Sequence, residues 1–171
     1  MNTSFNPLPP GYTHVQHTFE PVFDEHSRIL ILGSFPSVKS REIQFYYGHP
    51  QNRFWKLMAQ LLDVPIPQSI DEKKTMLLTH GLALWDVIAS CDIKGSSDSS
   101  IKNAVPADIS RILKAADIQT IIANGGTAFQ LYGRYCEPVT GRPAALCPST
   151  SPANAAFSLE RLSECWSKFI I

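Results

Sequence analysis

Two short segments of this 171-residue chain gather residue types that can do chemistry. Residues 46–55 follow the apolar run 29–32 and the turn 33–37, and they contain two tyrosines, a histidine, two amides and an arginine. Aromatic rings and polar groups in one loop suit stacking on a nucleobase and hydrogen bonding to its edge. Residues 147–154 are rich in hydroxyl groups and are stiffened by two prolines. That composition suits contact with a DNA backbone, and it also suits an ordinary surface turn.

Asn52 and Asp86 each have two interpretations. Asn52 directly precedes a run with apolar residues at helical spacing, so helix capping explains it. An amide at a helix start can also hold a water molecule, which suits a reaction needing only a positioned weak nucleophile, such as dissociative glycosidic cleavage. Asp86 ends an apolar strand, where it is either a cap or loop contact or a group that recognises a base edge. Both alternatives stay open on the sequence alone.

Other patterns argue against several common kinds of site. The run Asn124-Gly125-Gly126 lacks the full G-x-G-x-x-G pattern and a P-loop lysine, so it favours a tight strand-to-helix turn. Ser149 lacks the G-x-S-x-G elbow, which argues against an ester hydrolase. The four cysteines have neither C-x-x-C spacing nor histidines at zinc-ligand intervals, so we expect free thiols and neither a zinc site nor an iron–sulfur cluster.

Strands and helices alternate along the chain and must position these groups. Strands are predicted at 28–32, 82–87, 120–123 and 144–146, and helices at 52–62, 70–80, 107–116, from 124–126 to about 135, and 158–169. This rhythm predicts an α/β fold, a three-layer α/β/α sandwich with a central, mainly parallel four-stranded sheet. Loops 33–52, 86–104, 124–126 and 147–157 then meet at one sheet edge and form a cleft. Residues 92–103 are predicted to be an exposed loop.

The bulk properties predict one domain in a reducing compartment. A chain of 171 residues with 44% hydrophobic content supports one core, which we place at 28–171, with residues 1–27 as an arm carrying a short edge strand near 13–19. Fifteen basic side chains balance fifteen acidic ones, so any contact with a polyanion must be local. No leader pattern and no run of about eighteen apolar residues occurs, which predicts a cytoplasmic protein without membrane contact.

Segments 33–37, 47–55 and 148–154 together resemble the uracil-DNA glycosylase superfamily, most nearly its hypoxanthine-DNA (deoxyinosine) glycosylase branch and next the mismatch-specific uracil glycosylases. In most of that superfamily an Asp or Asn in the first motif positions the attacking water, whereas this chain has Ser34 and Phe35 there. The resemblance implies that Asn52 takes this role, as in the hypoxanthine branch. Cys147 stands where other members carry a His or Asn that supports leaving-group charge, so help is expected from another group, either His49 or a backbone amide.

The resemblance also implies a mechanism and a set of contacts. A deaminated base is flipped out of double-stranded DNA, and its C–N bond is cleaved without a metal or cofactor. No lysine occupies the motifs, so a monofunctional enzyme is expected. The expected base-binding residues are Ser34, Phe35, Tyr47, Asp86 and Asn124. The expected DNA-binding residues are Pro36, Ser37, Arg53, Ser149, Thr150, Ser151 and Asn154.

The predicted function is therefore excision of hypoxanthine, with xanthine and uracil as further candidate bases, in base excision repair. We expect the protein to act as a monomer on DNA containing a damaged base. Three alternatives remain: a module of the same fold that binds damaged or mismatched DNA without cleaving it, a G:U mismatch-specific uracil glycosylase, and a nucleotide or nucleoside hydrolase.

Overall fold

A computed structural model describes residues 7–170. Its strands are β1 (Thr13–Gln16), β2 (Ile29–Gly33), β3 (Leu82–Asp86), β4 (Ile88–Ile93), β5 (Lys102–Pro106), β6 (Thr120–Asn124) and β7 (Ala145–Cys147). Its helices are α1 (Val38–Ile43), α2 (Phe54–Leu62), α3 (Ile70–Thr79), α4 (Ser110–Ala115), α5 (Gly126–Tyr135), α6 (Glu137–Thr140) and α7 (Leu159–Trp166), and a 3₁₀ turn spans Asp98–Ser100. Among the helices of this described range, none combines the length and the apolar composition needed to cross a bilayer.

The central sheet is parallel and has four strands in the order β3-β2-β6-β7. In the inner strand β2, Ile31 lies beside Leu84 of β3 and Ile122 of β6. A strand that is covered on both faces needs apolar side chains at every position, which is why the unbroken run 29–32 predicts it. The predicted three-layer sandwich with a parallel four-stranded sheet is confirmed.

Successive side chains of β2 enter two separate cores, because a strand alternates its side chains between its faces. Ile31 belongs to the core on the side of α2, α3 and α7, together with Phe54 and Trp166. Leu30 and Leu32 belong to the opposite core, which includes residues of α4, α5 and β4. With both faces of the sheet covered, its strand ends are the places where polar groups can meet a ligand.

A second sheet, antiparallel and of order β1-β4-β5, is largely absent from the sequence-based prediction. The predicted edge strand near 13–19 is confirmed as β1. The predicted exposed loop over 92–103 is wrong at both ends, where it overlaps β4 and β5. β5 is a mostly exposed edge strand that pairs with β4 through shifts in register, so no apolar alternation marks it in the sequence.

One short helix, α1, lies inside the predicted loop 33–52, and another, α6, lies between a predicted helix and a predicted strand. α1 has six residues, and only Ser40 among them is buried. It begins after the cap residue Ser37 and ends at Gln44, whose φ of 57° lies in the left-handed region. A helix this short and this exposed has no apolar periodicity for sequence analysis to detect.

The N-terminal segment packs along both sheets. β1 pairs with β4, and the backbone N–H of His17 extends that pairing by donating to the Ala89 carbonyl at 2.8 Å. Val22 then forms an antiparallel bridge with Leu84 of the central sheet. The first six residues of the predicted arm lie outside the described part. The described remainder brings His17 close to the carboxyl end of β3.

Candidate active site

A cleft of about 380 Å³ lies at the carboxyl ends of the parallel strands, where open α/β sheets bind ligands. The loops that follow β2 and β7 contribute to its wall, as do the last residues of β3 and β6 and the turn between β4 and β5. Each of the four predicted cleft loops supplies at least one lining residue. The lining residues are Gly33, Ser34, Phe35, Pro36, Ser37, Ser40, Tyr46, Tyr47, His49, Asn52, Asp86, Ser96, Asp98, Asn124, Ser149, Thr150, Ser151, Pro152 and Ala153.

Most of the predicted site residues meet in this cleft, and two of them, Arg53 and Asn154, are not among its lining residues. Sequence analysis did not select Asp98 or Ser40, although both line the cleft. It also missed His17, which contacts a lining residue from the N-terminal arm. Within residues 7–170, no three His, Cys, Asp or Glu side chains are grouped so that they could hold a metal ion.

Asn52 presents a fixed carboxamide to the cleft. Its Oδ1 accepts hydrogen bonds from the backbone N–H of Phe54 and from the Thr150 hydroxyl, each at 2.9 Å. Arg53, and not Asn52, occupies the residue before α2, so the capping interpretation is one residue out of register. The side chain nevertheless binds the first turn of α2. In the described part of the chain no acceptor binds Nδ2, which leaves this group for a ligand or water.

Asn124 and Thr150 form a chain of hydrogen bonds that ends on Asn52. Asn124 closes β6, donates through Nδ2 to Thr150 Oγ1 at 3.1 Å, and accepts from the Thr150 N–H at 3.0 Å. The sequence predicts that Thr150 contacts DNA, whereas its side chain is fully buried. Its hydroxyl accepts from Asn124 Nδ2 and donates to Asn52 Oδ1. Thr150 therefore has no exposed surface to offer a phosphate, and its hydroxyl contacts Asn52 instead. Asn124, predicted to bind the base, is likewise occupied by Thr150.

Tyr47, Asp86 and His17 pack together at another part of the cleft. The Tyr47 ring stacks on Phe54 with centroids 4.2 Å apart, and Asp86 Oδ2 lies 2.8 Å from His17 Nε2. Burial, followed by the charge of Asp86, raises the pKa of Tyr47, so the hydroxyl keeps its proton as a donor. Asn124 lies close enough to the Tyr47 hydroxyl to oppose the rise in its pKa, although the Asn124 amide donates to Thr150 and not to this hydroxyl.

Phe35 and Ser34 line the cleft next to an unpredicted carboxylate. The Phe35 ring is buried, and the guanidinium of Arg41 lies 5.9 Å from its centroid. The Ser34 hydroxyl donates to Asp98 Oδ1 at 2.9 Å. Asp98 belongs to an exposed 3₁₀ turn, but its carboxyl packs into the cleft, and this burial raises its pKa. Asp98 lies in the predicted cleft loop 86–104, but its turn is a serine-rich stretch without an apolar pattern, so the sequence does not single out this carboxylate.

His49 has a defined orientation for its ring. Its Nδ1 accepts a hydrogen bond from the backbone N–H of Gln51 at 3.1 Å. A neutral imidazole that accepts at Nδ1 carries its proton on Nε2. His49 therefore offers the cleft one N–H donor without having to be charged.

Arg53 stabilises the loop that follows β7. Its guanidinium donates to the carbonyls of Ser151 at 2.9 Å and Asn154 at 3.0 Å, and it also bonds the Thr150 and Phe157 carbonyls. The Asn154 side chain in turn donates to the Ser149 carbonyl at 3.0 Å. The sequence predicts DNA contacts for Arg53 and Asn154, whereas both side chains are occupied in holding the loop's own backbone.

The remaining predicted DNA-binding residues line the cleft within tight turns. Ser37 caps α1 by accepting from the Ser40 N–H, and Ser149 Oγ accepts from the Ser151 N–H at 3.1 Å. Gly125 has a φ of 98°, and a Cβ atom there would lie 2.9 Å from Ser149 Cβ. Only glycine lets the β6–α5 turn approach the loop this closely.

All four cysteines are free thiols, and three of them are buried. Burial raises the pKa of Cys147 to about 12, so its thiol stays neutral. Cys147 is not among the lining residues of the cleft, although the sequence places it where related proteins support leaving-group charge. A buried neutral thiol cannot give that support.

Comparison with known proteins gives consistent matches. The model of the uracil DNA glycosylase superfamily matches residues 20–170. A hypoxanthine DNA glycosylase of Methanosarcina acetivorans is 37% identical over 88% of this chain and 95% of its own length. A hypoxanthine DNA glycosylase of Methanosarcina barkeri is 34% identical over 88% of this chain and 94% of its own. A solution NMR structure of a candidate uracil DNA glycosylase from M. acetivorans superposes with a TM-score of 0.76 at 34% identity, covering 89% of this chain and 94% of that one.

Proposed function

Because this chain belongs to the uracil DNA glycosylase superfamily, we propose that it is a monofunctional DNA glycosylase that excises hypoxanthine from DNA. Xanthine and uracil are further candidate substrates, since deamination produces them as well. One observation carries the assignment of the catalytic group: the Asn52 carboxamide is fixed at the cleft by Phe54 and Thr150, with its Nδ2 unengaged by described residues.

Catalysis would begin with extrusion of the damaged base from the duplex. Unstacking and unpairing cost a few kcal/mol, and least for a mispaired or damaged base, so the enzyme gains selectivity at this step. Phe35 lines the cleft and offers an aromatic surface on which the extruded base stacks. The cleft lies at the sheet edge, so the base enters between the loops that follow β2 and β7.

Asn52 would then hold the water that attacks the sugar. The C1′–N bond breaks with its electron pair on the base, the water oxygen bonds to C1′, and the water's proton balances the charge of the released base. An amide suffices because the sugar of a dissociative transition state is already a strong electrophile and needs only a positioned nucleophile. Both hydrogen bonds to Oδ1 fix the amide so that Nδ2 donates to that water.

His49 is the best placed group for support of the leaving base. Its Nδ1 accepts from the Gln51 N–H, so in the neutral ring the Nε2–H is the donor that this cleft residue can offer a ligand. A preorganised donor aimed at developing negative charge stabilises the transition state. Cys147, as a buried neutral thiol, contributes nothing to that step.

Contacts with the DNA strand would come from the residues of the cleft that belong to turns, Pro36, Ser37, Ser149 and Ser151. We assign Arg53, Asn154 and Thr150 to support of these turns and of Asn52, since their polar groups are already bonded. No lysine lines the cleft in residues 7–170, which supports an enzyme without Schiff-base lyase chemistry.

The same proposal covers the organisation and location of the protein. We propose a glycosylase domain at 28–171, with residues 1–27 as an arm that supplies His17, acting as a monomer. The four free thiols fit a reducing compartment, so we place the protein in the cytoplasm.

A base-release assay tests the proposal. Identical duplexes with one deoxyinosine, deoxyxanthosine or deoxyuridine are incubated with the protein and then treated with alkali. We expect the inosine strand to break only after alkali, which marks a monofunctional enzyme. Duplexes that are bound and never cut would instead identify a non-cleaving module. Cleavage confined to G:U pairs would identify a mismatch-specific uracil glycosylase, and faster cleavage of free nucleosides than of duplexes would identify a nucleoside hydrolase.

A further inference from the structure

The part of the cleft assigned to DNA contact carries no cationic side chain of the lysine or arginine type. Its four residues are uncharged, namely Pro36, Ser37, Ser149 and Ser151, and no lysine or arginine of residues 7–170 lines the cleft. Arg53 donates to carbonyls of its own protein. Affinity for duplex DNA depends largely on cations that neutralise phosphates. Because the chain has no net charge, we look for a local group of cations outside the cleft.

Such a group lies on the outer face of the antiparallel sheet. Cys91 and Ile93 of β4 point into the core, so the alternating residues of this sheet point outward. On that outer face the ammonium groups of Lys94 and Lys102 lie 5.1 and 5.0 Å from the centroid of the Tyr12 ring. Both lysines are exposed, and among residues 7–170 neither forms an ion pair.

The two lysine charges repel each other in this arrangement. Because both distances end on one ring, the ammonium groups lie within about 10 Å of each other, which is about one Debye length at 0.1 M salt. An anion bound between or beside them would offset the repulsion, as a phosphate does.

The carboxylate that could neutralise Lys102 is engaged elsewhere. Asp92 lies opposite Lys102 in the pairing of β4 with β5. Its Oδ1 lies 2.8 Å from His14 Nδ1, and its Oδ2 accepts from Asn103 Nδ2 at 2.8 Å. Lys102 therefore stays available to an anion from outside the protein.

An irregularity in β5 makes this arrangement possible. Consecutive residues of a regular strand point to opposite faces, yet Asn103 bonds Asp92 while its neighbour Lys102 lies over Tyr12. The register of β4 with β5 shifts here, and Asn103 has a φ of 52°, in the left-handed region. A bulge of this kind aims side chains, and bulges are frequent next to functional sites.

The turn that joins β4 to β5 connects the two lysines to the cleft. Ser96 and Asp98 of this turn line the cleft. The Gly95 carbonyl accepts from Arg41 Nη2 at 2.6 Å, and the Arg41 guanidinium lies 5.9 Å from the centroid of Phe35. Positive charge thus continues from the outer face of the sheet to the cleft that receives the damaged base.

We propose that Lys94 and Lys102 bind backbone phosphates of the duplex beside the extruded nucleotide, and that the Tyr12 ring holds the two side chains in place. This inference rests on the proposed glycosylase function and gives the N-terminal arm a part in DNA binding. Phosphate contacts carry no sequence information, so this surface positions the enzyme on any duplex and the cleft selects the base.

The double variant Lys94→Gln/Lys102→Gln tests the proposal through the salt dependence of binding to an undamaged duplex. Each lost phosphate contact removes about 0.9 from the slope of log affinity against log salt concentration. Between about 50 and 200 mM salt, the wild type should therefore lose about 12-fold more affinity than the variant. Equal slopes would overturn the proposal.

Lys114→Gln is the matched control. Lys114 is an exposed lysine near the end of α4, which precedes the amino end of β6, whereas the cleft lies at the carboxyl ends of the strands. This variant should keep the wild-type slope, and a loss equal to that of the double variant would overturn the proposal. The Tm of the double variant should equal or exceed that of the wild type, because the substitutions remove a repulsion.

Uncharged methylphosphonate groups, placed singly along an inosine duplex, locate the contacts. The binding assay uses Asn52→Ala, with and without the two lysine substitutions, so that the base is not released. With both lysines present, methylphosphonates beside the deoxyinosine should weaken binding about two- to fivefold, the range of an exposed ion pair. Without the lysines, the same positions should have little effect, since each contact is lost only once. Identical position profiles in the two proteins would overturn the proposal.

Tyr12→Leu tests the role of the ring, with Tyr12→Phe as the conservative variant because it keeps an aromatic face for both ammonium groups. The leucine variant should bind the undamaged duplex about two- to fivefold more weakly, the range of an exposed cation–π contact. The phenylalanine variant should match the wild type. Equal affinity of the leucine variant and the wild type would overturn the role of Tyr12.

Failure of this inference and failure of the proposed function give different results. Wild-type protein that releases no base from any duplex would refute the glycosylase function itself. Wild-type excision together with equal salt slopes for the wild type and the lysine variant would refute only the phosphate contacts of Lys94 and Lys102.

Discussion

Thr150→Val tests whether the hydrogen bonds behind Asn52 govern its chemistry. Valine matches threonine in shape, so the change removes the hydroxyl that donates to Asn52 Oδ1 at 2.9 Å and accepts from Asn124 Nδ2 at 3.1 Å. The site is fully buried, so water cannot replace the lost partner. Two lost hydrogen bonds and an unpaired amide should cost about 2–4 kcal/mol in the free energy of unfolding.

The same change should slow catalysis. In the variant, Asn52 Oδ1 still accepts from the Phe54 N–H but no longer accepts from residue 150, so the carboxamide can rotate about the one remaining hydrogen bond. Misplacement of a catalytic group by about 1 Å costs on the order of 100-fold, so we expect a rate loss of about 10- to 100-fold. The assay is single-turnover excision from an inosine duplex at saturating enzyme, at a temperature where urea unfolding shows the variant to be folded.

Thr150→Ser is the matched control. It keeps the hydroxyl and deletes a buried methyl group, so it should cost about 1 kcal/mol in stability and little in rate. A fully folded Thr150→Val variant with the wild-type rate would refute the reasoning, because Asn52 would then need no support from Thr150.

Three further predictions concern the surroundings of the cleft. Arg53→Lys should lower the free energy of unfolding in urea by about 2–4 kcal/mol, because an ammonium cannot bond all the carbonyls that the guanidinium bonds. The salt dependence of DNA binding should not change. A shallower slope of log affinity against log salt concentration would show that Arg53 contacts a phosphate. Among the thiols, Cys165 should react first with an alkylating reagent in the native protein, because the other three are buried. Burial raises the pKa of Cys147 to about 12 and the pKa of Cys91 and of Cys136 to about 11. Equal reaction rates for all four thiols would contradict that burial. Burial in the folded protein raises the pKa of Asp98, so the folded protein binds this proton more tightly than the unfolded chain does. The free energy of unfolding should therefore fall as pH rises through the range just above 3.8. Asp98→Asn should flatten this part of the pH dependence of Tm, and an unaltered profile would contradict the burial of this carboxyl.

The sequence predicts the central sheet and the location of the cleft because both depend on local patterns. The run 29–32 is apolar at every position, as an inner parallel strand must be, and strand order along the chain then brings the polar loops to one edge. Asn52 is recognisable from its position before a helical run, although its actual contacts are with Phe54 and with Thr150, 98 residues further along the chain.

Residues whose placement depends on distant pairing are not predictable in this way. His17 reaches Asp86 only because β1 pairs with β4, a strand that sequence analysis did not find. Asp98 reaches Ser34 across 64 residues from a turn with no apolar pattern. Arg53 and Thr150 have residue types that suit DNA contact, and only the burial of Thr150 and the bonded partners of both favour internal support.

The central claim is that the Asn52 carboxamide positions the attacking water, and Asn52→Ala tests it most directly. Gln60→Ala is the control, since it removes an exposed amide from helix α2, which follows Asn52, and lies outside the cleft. In single-turnover excision from an inosine duplex we expect the Gln60 variant to match the wild type. Asn52→Ala should lose most of its activity, on the order of 100-fold or more, while its circular dichroism spectrum and duplex affinity are retained. A folded Asn52→Ala variant that releases hypoxanthine at the wild-type rate would contradict the account.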